Sequence, residues 1–166
     1  MEKIRIGVVS TRRNVFSKEE AQKFKNMILK EIKKFDADFV DIDDINEEGL
    51  LFDRRDVGPV VEKMKAEKVD GLFLPHCNFG SEGLVSEVAA RIRKPVLLWG
   101  PRDDAPQSNG IRTRDTQCGL FATGKILRRY NVPYTYLTNS AVTDKSFVTG
   151  MANFIGVCAV VRAFYE

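Results

Sequence analysis

The segment "PHCNFGSEG", residues 75–83, gathers side chains that could do chemistry. It holds the only histidine of the chain, His76, followed by Cys77, Asn78, Phe79 and a Gly-Ser-Glu-Gly turn. Imidazole and thiol groups can act as bases, nucleophiles or metal ligands, and an amide can hydrogen-bond a hydroxyl or an anion. The segment therefore predicts either the rim of a small-molecule site or an ordinary strand-to-helix corner, in which the serine caps the helix and the glycines shape the turn.

A cysteine nucleophile is one interpretation of the reactive side chains. Cys118 follows a long loop at the start of a predicted helix, where the helix dipole can lower the pKa of a thiol. His76 would be its base and Asp115 the group that orients the base. Nothing in the spacing sets their mutual geometry, and a cysteine close to Phe121 on a helix is typical of a core. A cysteine hydrolase is therefore kept only as the weaker alternative.

Metal and nucleotide sites find little support in the sequence. One histidine cannot supply a two-histidine site, and hard cations need converging carboxylates. The candidate carboxylates are Asp103, Asp104, Asp115 and Glu82, but "RDD" is typical of a solvated loop. Neither G-x-G-x-x-G nor G-x-x-x-x-G-K-[ST] is present. We expect no metal bound by this chain alone, while backbone N–H groups of "FGSEG" remain candidates for anion contact.

Composition and charge narrow the class of protein. The chain has 166 residues, 43% hydrophobic and 30% charged, which predicts a single globular domain over residues 1–166. Its 26 basic and 23 acidic residues are interspersed, so we expect no nucleic-acid partner. We expect no signal peptide and no 18-residue apolar stretch long enough to span a membrane, which favours a cytoplasmic protein with no membrane partner. Three cysteines at unrelated spacings indicate no disulfide framework.

Apolar strands alternate with amphipathic helices along the chain. The predicted strands are "IRIGVV", "ADFVDI", "DGLFLP", "PVLLWG" and "PYTYL", each followed by a helix. A capping box of Ser17 and Glu20 marks the first helix. Five such repeats predict an α/β protein with a three-layer, doubly wound, five-stranded parallel sheet of the flavodoxin-like type.

This architecture places function at one edge of the sheet. In open parallel sheets, ligands bind outside the carboxyl ends of the strands. The residues predicted at that rim are Arg12, Arg13, His76, Asn78, Trp99, Arg102 and Asp103. Arg102 and Asp103 are more readily explained as an ion pair within their loop.

The last helix, predicted from about Asp144 onward, is unusual. From Phe147 to Phe164 it is apolar on nearly every side, whereas a surface helix leaves one face polar. We expect it to be buried on more than one side, against another subunit or a segment not included here. Gly150 and Gly156 would allow close approach.

Two segments together resemble a known family. "LFLPHCNFGSEGLVSEVAARIRKPVLLWGPRDD", followed by "RTRDTQCGLFATGKILRRYNVPYTYLTN", is similar to the N-terminal region of the L-fucose isomerase and L-arabinose isomerase superfamily. The similarity is strongest over residues 71–139 and weaker at "IGVVSTRR". Each matching segment alone would be weak evidence for the family, but the occurrence of all of them in this order along the chain is specific.

The resemblance implies a function for a longer parent protein. Such enzymes interconvert aldoses and ketoses with a divalent metal, typically manganese, whose ligands belong to a later domain. This chain would be the first domain, inactive alone, within a homo-oligomer and lacking its C-terminal domains. Carried over by position, the residues that would touch a small sugar are Arg12, Arg13, His76, Cys77, Asn78 and Phe79. Phe79 or Trp99 could pack against the apolar face of that sugar. A stand-alone sugar- or small-anion-binding module is the alternative.

Overall fold

The computed structural model describes residues 2–165, which form a parallel sheet flanked by helices. The strands are β1 (Arg5–Val8), β2 (Asp38–Val40), β3 (Gly71–Pro75), β4 (Val96–Trp99) and β5 (Thr135–Tyr136). The helices are α1 (Lys18–Ile32), α2 (Val57–Ala66, after a 3-10 turn at Arg54–Asp56), α3 (Glu82–Ile92), α4 (Thr116–Arg129) and α5 (Lys145–Tyr165).

The strand order is β2-β1-β3-β4-β5, and every neighbouring pair is parallel. Phe73 in β3 pairs with Val8 on one side and with Leu97 on the other. This is the flavodoxin-like order, so the predicted fold class is confirmed. Because all five strands run the same way, the loops after them meet at one edge.

Alternating side chains of the strands build two cores, one on each face of the sheet. Leu72 and Leu74 point into the core shared with α2, α3 and α4. Phe73, between them, points into the core shared with α1 and α5. Both faces of the three central strands, β1, β3 and β4, are therefore covered, which explains why these strands are apolar without alternation, whereas the edge strands β2 and β5 are half-buried or exposed.

Two serines occupy the helix starts predicted for them. Ser17 caps α1, and its hydroxyl accepts a hydrogen bond from the Glu20 N–H at 3.1 Å, as the capping box predicted. Ser81 lies at the N-cap of α3 but makes no side-chain capping bond. Its hydroxyl instead donates to the Arg12 carbonyl at 2.8 Å, which links the corner before α3 to the loop after β1.

Among residues 2–165, helix α5 is covered on one side only, so the expected burial of its other side against another subunit or a further segment stays a prediction. The covered side carries Phe147, Met151, Phe154 and Cys158. By length and composition alone, the 21-residue helix α5 could cross a membrane. That corrects the expectation that no such stretch exists.

Candidate functional site

The Asn78 side chain organises the carboxyl edge of the sheet. Its Oδ1 accepts hydrogen bonds from the N–H groups of Arg13 at 2.8 Å and Phe79 at 2.5 Å. Its amide donates to the carbonyls of Arg13 and Ser17, both at 3.2 Å. Asn78 is fully buried, so its amide serves to tie the loop after β1 to the corner after β3.

Most backbone N–H groups of the glycine-rich corner already donate hydrogen bonds within the protein and are not available to an anion. The Phe79 and Gly80 N–H groups donate to Asn78, and the Ser81 N–H donates to the Thr11 hydroxyl at 2.9 Å. Glu82 follows directly, and its carboxylate would repel an anion at this helix start. Three of the five backbone donors proposed from the sequence, those of Phe79, Gly80 and Ser81, are therefore used by the fold itself.

His76 lies in the interior, beneath this corner. Its Nδ1 faces the Leu74 carbonyl at 3.2 Å, so this nitrogen carries the proton, and Nε2 accepts from the Thr123 hydroxyl at 2.7 Å. Burial lowers the pKa of His76 from 6.5 to about 4, so the ring is neutral near pH 7. A side chain on Gly80, whose φ is +88°, would collide with the imidazole.

Cys77 and Trp99 also have interior side chains. Burial raises the pKa of the Cys77 thiol to about 12, which makes it a poor nucleophile. Trp99 packs against Phe147, with ring centroids 4.5 Å apart, and its indole N–H donates to the Ser140 hydroxyl at 3.2 Å. In the chain as described, neither side chain reaches solvent at the rim.

Arg12 is nearly buried and its charge is compensated. Its guanidinium makes two hydrogen bonds to the Glu48 carboxylate, at 2.6 and 2.9 Å, and lies 3.8 Å from the Phe52 ring centroid. This bonding holds the pKa of Glu48 below its usual range. Lys18 completes the cluster at 3.1 Å from Glu48. These contacts of Arg12 hold the loop after β1 in place.

Arg13 and Phe79 form the accessible part of the rim. The Phe79 ring stacks on Phe16, with centroids 5.4 Å apart and planes inclined by 12°. The Arg13 guanidinium lies 4.6 Å from the Phe79 centroid and pairs with Glu82. The Arg13 side chain is 37% exposed. We name these four residues the Arg13–Phe79 platform: Arg13, Phe16, Phe79 and Glu82.

An open polar cavity lies at the start of α4, at the same edge. Its volume is about 530 Å³, and its lining includes Arg102, Asp103, Arg112, Cys118 and Asn139. The Asp115 N–H, just before α4, donates to the Asn78 carbonyl at 3.0 Å. The start of α4 thus lies directly beside the corner that carries Phe79.

The loop between β4 and α4 is held by bonds that differ from the predicted pairing. Asp103 does not pair with Arg102; it caps α4 by accepting from the Thr116 and Gln117 N–H groups at 2.9 and 3.2 Å. Arg102 pairs instead with Asp144 at 3.0 Å. A helix start without a capping carboxylate leaves unpaired N–H groups, which explains why Asp103 is used there.

The residues of the weaker hydrolase alternative do not form a triad. Both ring nitrogens of His76 bond to Leu74 and Thr123 rather than to a thiol. Asp115 contacts Cys118 directly and raises the pKa of this exposed thiol. A thiol that stays protonated beside a carboxylate lacks the activation that nucleophilic catalysis needs.

The manganese that the resemblance implies does not fit the residues described here. Among residues 2–165, no three His, Cys, Asp or Glu side chains lie together in a way that could hold a metal ion. Asp103 caps α4, Asp104 pairs with Arg114 at 2.8 Å, and Glu82 pairs with Arg13.

The predicted sugar-lining residues thus fall into two groups. Arg13 and Phe79 lie together at the accessible rim, whereas five others have buried side chains: Arg12, His76, Cys77, Asn78 and Trp99. Direct ligand contact by any of the seven stays a prediction. The sequence analysis missed Phe16 and Arg112, although both lie in loops at the carboxyl edge, which the fold rule already indicated.

Fold and site together define a class: a flavodoxin-like α/β domain whose accessible polar and aromatic groups meet at the carboxyl edge of its sheet. The family follows from comparison with known proteins. Residues 7–165 match the family described as "Fucose/sulfoquinovose isomerase, N-terminal domain", and the chain belongs to that family. The resemblance recognised from the sequence is thereby confirmed.

Other comparisons add little about function. No curated protein sequence matches the chain. Among solved structures, the chain is similar to one described as "Solution structure of a phosphate-loop protein". The two share 11% identity with a TM-score of 0.33, over 96% of this chain and 94% of the other. That overlap is too loose to bear on function.

Proposed function

We propose that this chain is the substrate-lining first domain of an aldose–ketose isomerase of the L-fucose and L-arabinose type. It would bind and orient a sugar, while other segments of a longer parent carry the metal and the proton transfers. The Arg13–Phe79 platform, beside an open cavity in a chain of this family, is the observation that supports the proposal. A cytoplasmic homo-oligomer that includes C-terminal domains belongs to the same proposal.

The platform has the chemistry that sugar binding needs. A pyranose or an open-chain sugar presents C–H faces that pack on aromatic rings, and Phe79, supported by Phe16, offers one. Hydroxyl groups need donors and acceptors beside the aromatic rings, and the Arg13 guanidinium, which lies over Phe79, supplies them together with the Glu82 carboxylate that pairs with it. Manganese, expected in the full-length parent, would activate the substrate there through residues outside this chain.

Turnover by the chain alone tests the assignment of chemistry to other segments. The purified chain would be incubated with Mn²⁺ and L-fucose or L-arabinose, and ketose formation would be measured. We expect no ketose above the level of a reaction without protein. Isomerisation by this polypeptide alone would refute the proposal, because it would require a complete metal and acid–base site within the chain.

A stand-alone sugar- or small-anion-binding module is the second candidate. The cavity lined by Arg102 and Arg112 favours the sugar-binding form of this module, since its arginines, Asn139 and three aspartates (Asp103, Asp104 and Asp115) could hydrogen-bond sugar hydroxyls without another domain, while the aspartates oppose an anion. NMR titration with aldoses and sugar phosphates discriminates between the two. A half-site gives no saturation up to about 10 mM ligand, whereas a complete site saturates well below this concentration. Loss of saturation in Arg102→Ala would assign binding to the cavity.

A further inference from the structure

The outer face of α5 is apolar, exposed and free of charge. Opposite the packed side, Val157, Val160 and Phe164 are 47%, 62% and 85% exposed. From Ser146 to Val161 the sequence contains no charged residue. A helix face that meets water normally carries charged side chains, so this face has the composition of a contact surface.

Gly156 gives an independent indication of close approach. A side chain at Gly150 would collide with Leu137, so the fold of the single chain explains that glycine. An added Cβ at Gly156 would meet nothing within 4 Å, although glycine inside a helix is destabilising relative to alanine. Nothing among residues 2–165 requires glycine there, whereas the backbone of a second helix lying against α5 would require it.

The exposed row that contains Gly156 is complementary to itself. Val148, Ala152, Gly156, Val160 and Phe164 recur every four residues and form one ridge along the helix. If two α5 helices cross antiparallel at Gly156, each Val160 faces the small Ala152 of the other copy. Each Phe164 then faces Val148. A two-fold axis produces this kind of reciprocal contact, in which one patch meets itself.

The charge distribution agrees with a second copy as the occupant, but α5 alone is smaller than a stable interface requires. Charged residues near a two-fold axis would face their own twins and repel, and here the charges lie only at the helix ends. Lys145 lies at one end, and Arg162 at the other is turned toward Asp70, at 3.2 Å. A helix of this length offers roughly 300 Å² per copy, or roughly 600 Å² for two, which is below the ~1,000 Å² of a stable interface.

The remaining area is available beside α5. A cavity of about 790 Å³ adjoins the helix, and its lining includes Pro133, Tyr134, Val157 and Val161. We propose that two copies of this chain form a two-fold dimer through the outer faces of α5, antiparallel and crossing at Gly156, with this cavity covered by the partner copy. The proposal holds whether or not the chain binds a sugar.

Analytical ultracentrifugation tests the dimer. The chain should sediment as a dimer at about 50 µM, which is above the Kd of a micromolar interface. Gly156→Arg and Val160→Lys should sediment as monomers with unchanged circular dichroism, since both positions are open to solvent in one copy.

Ile111→Lys, which places a lysine at an exposed apolar residue of a loop, is the control and should remain dimeric. A wild-type monomer at this concentration overturns the proposal, and a wild-type monomer that binds vesicles would assign the face to lipid.

Disulfide trapping tests the geometry. Gly156→Cys, in a Cys118→Ser background that removes the exposed thiol, should cross-link to its twin on mild oxidation. Lys125→Cys in the same background lies on the exposed side of α4 and is the matched control. At least a tenfold faster cross-linking at residue 156 supports the crossing point. Equal rates contradict it.

Discussion

At the scale of single residues, Asn78 shows how a polar side chain in a predicted ligand position can serve the fold. It accepts hydrogen bonds from the Arg13 and Phe79 N–H groups and donates to two carbonyls. Asn78→Ala would leave these buried backbone groups unpaired. We expect it to lower the free energy of unfolding by about 2–4 kcal/mol, measured by urea denaturation.

Asn109→Ala is the control for that experiment. Asn109 is exposed, and its side chain accepts one hydrogen bond, from the Ile111 N–H. We expect a change of less than about 0.5 kcal/mol. If Asn78→Ala were as mild as this control, the side chain of Asn78 would be free for another role, including a ligand.

His76 predicts a pH dependence of stability. Its pKa is about 4 in the folded chain, lowered mainly by burial, and 6.5 is its ordinary value. Between these values the unfolded chain binds the extra proton, so stability rises with pH from 4 to 6.5. The full effect is roughly 3 kcal/mol, present above pH 6.5 and lost as the pH falls toward 4.

The measurement compares His76→Gln with the wild type. Carboxylates titrate in both proteins, so the difference between their unfolding free energies isolates His76. We expect this difference to shrink by roughly 3 kcal/mol between pH 6.5 and pH 4. A constant difference across this range would mean that the imidazole is not held neutral by burial.

At the scale of secondary structure, two helix glycines with the same local setting should respond oppositely to substitution. Gly119 and Gly83 both lie in the first turns of their helices, α4 and α3. A Cβ at Gly119 would collide with the Phe79 carbonyl, whereas a Cβ at Gly83 would meet nothing within 4 Å. Gly119→Ala should therefore cost about 1–3 kcal/mol, and Gly83→Ala should gain about 0.5–1 kcal/mol.

Thermal denaturation of both variants measures this contrast. Because α4 rests on the Phe79 carbonyl, Gly119→Ala should also shift the NMR signals of the Arg13–Phe79 platform, while Gly83→Ala leaves them in place. If both variants were stabilised equally, helix propensity alone would account for the change in stability. Gly119 would then not lie in close contact with the Phe79 carbonyl.

The same elements show what the sequence could and could not predict. The strands were predictable because their apolar runs are local in sequence, and their order because five such β–α repeats commonly adopt the flavodoxin-like arrangement. The side-chain partners were not, because they come from distant segments. Thr123, which bonds to His76, is 47 residues away, and Ser140, which bonds to Trp99, is 41 residues away.

The loop after β4 makes the same point. Adjacent opposite charges at residues 102 and 103 favoured a local ion pair. The fold instead assigns Asp103 to the start of α4 and Arg102 to Asp144, which lies 42 residues further along. The position of the rim followed from strand direction, but which rim residues point outward depends on packing that the local pattern does not contain.

At the scale of the whole molecule, Asp70 joins α5 to the sheet at the amino-terminal ends of the strands, on the side opposite the candidate site. Its carboxylate accepts from the Arg5 N–H at 2.8 Å and from Arg162 of α5 at 3.2 Å. Asp70 is 7% exposed, and the Arg162 side chain is 17% exposed. The pair is therefore shielded from water and should contribute more than a surface ion pair.

Asp70→Asn tests whether this contact holds α5 on the sheet. The amide can still accept one hydrogen bond, but Arg162 loses its compensating charge, and we expect a loss of about 1–3 kcal/mol. Hydrogen exchange should speed up selectively in the last turns of α5, because these turns depend on Arg162 for their attachment. Asp36→Asn, which removes the exposed pairing with Lys3, is the matched control and should leave both stability and exchange unchanged. Uniform acceleration over all helices would instead show that Asp70 supports the sheet through Arg5 alone, and that α5 is held by its apolar side chains.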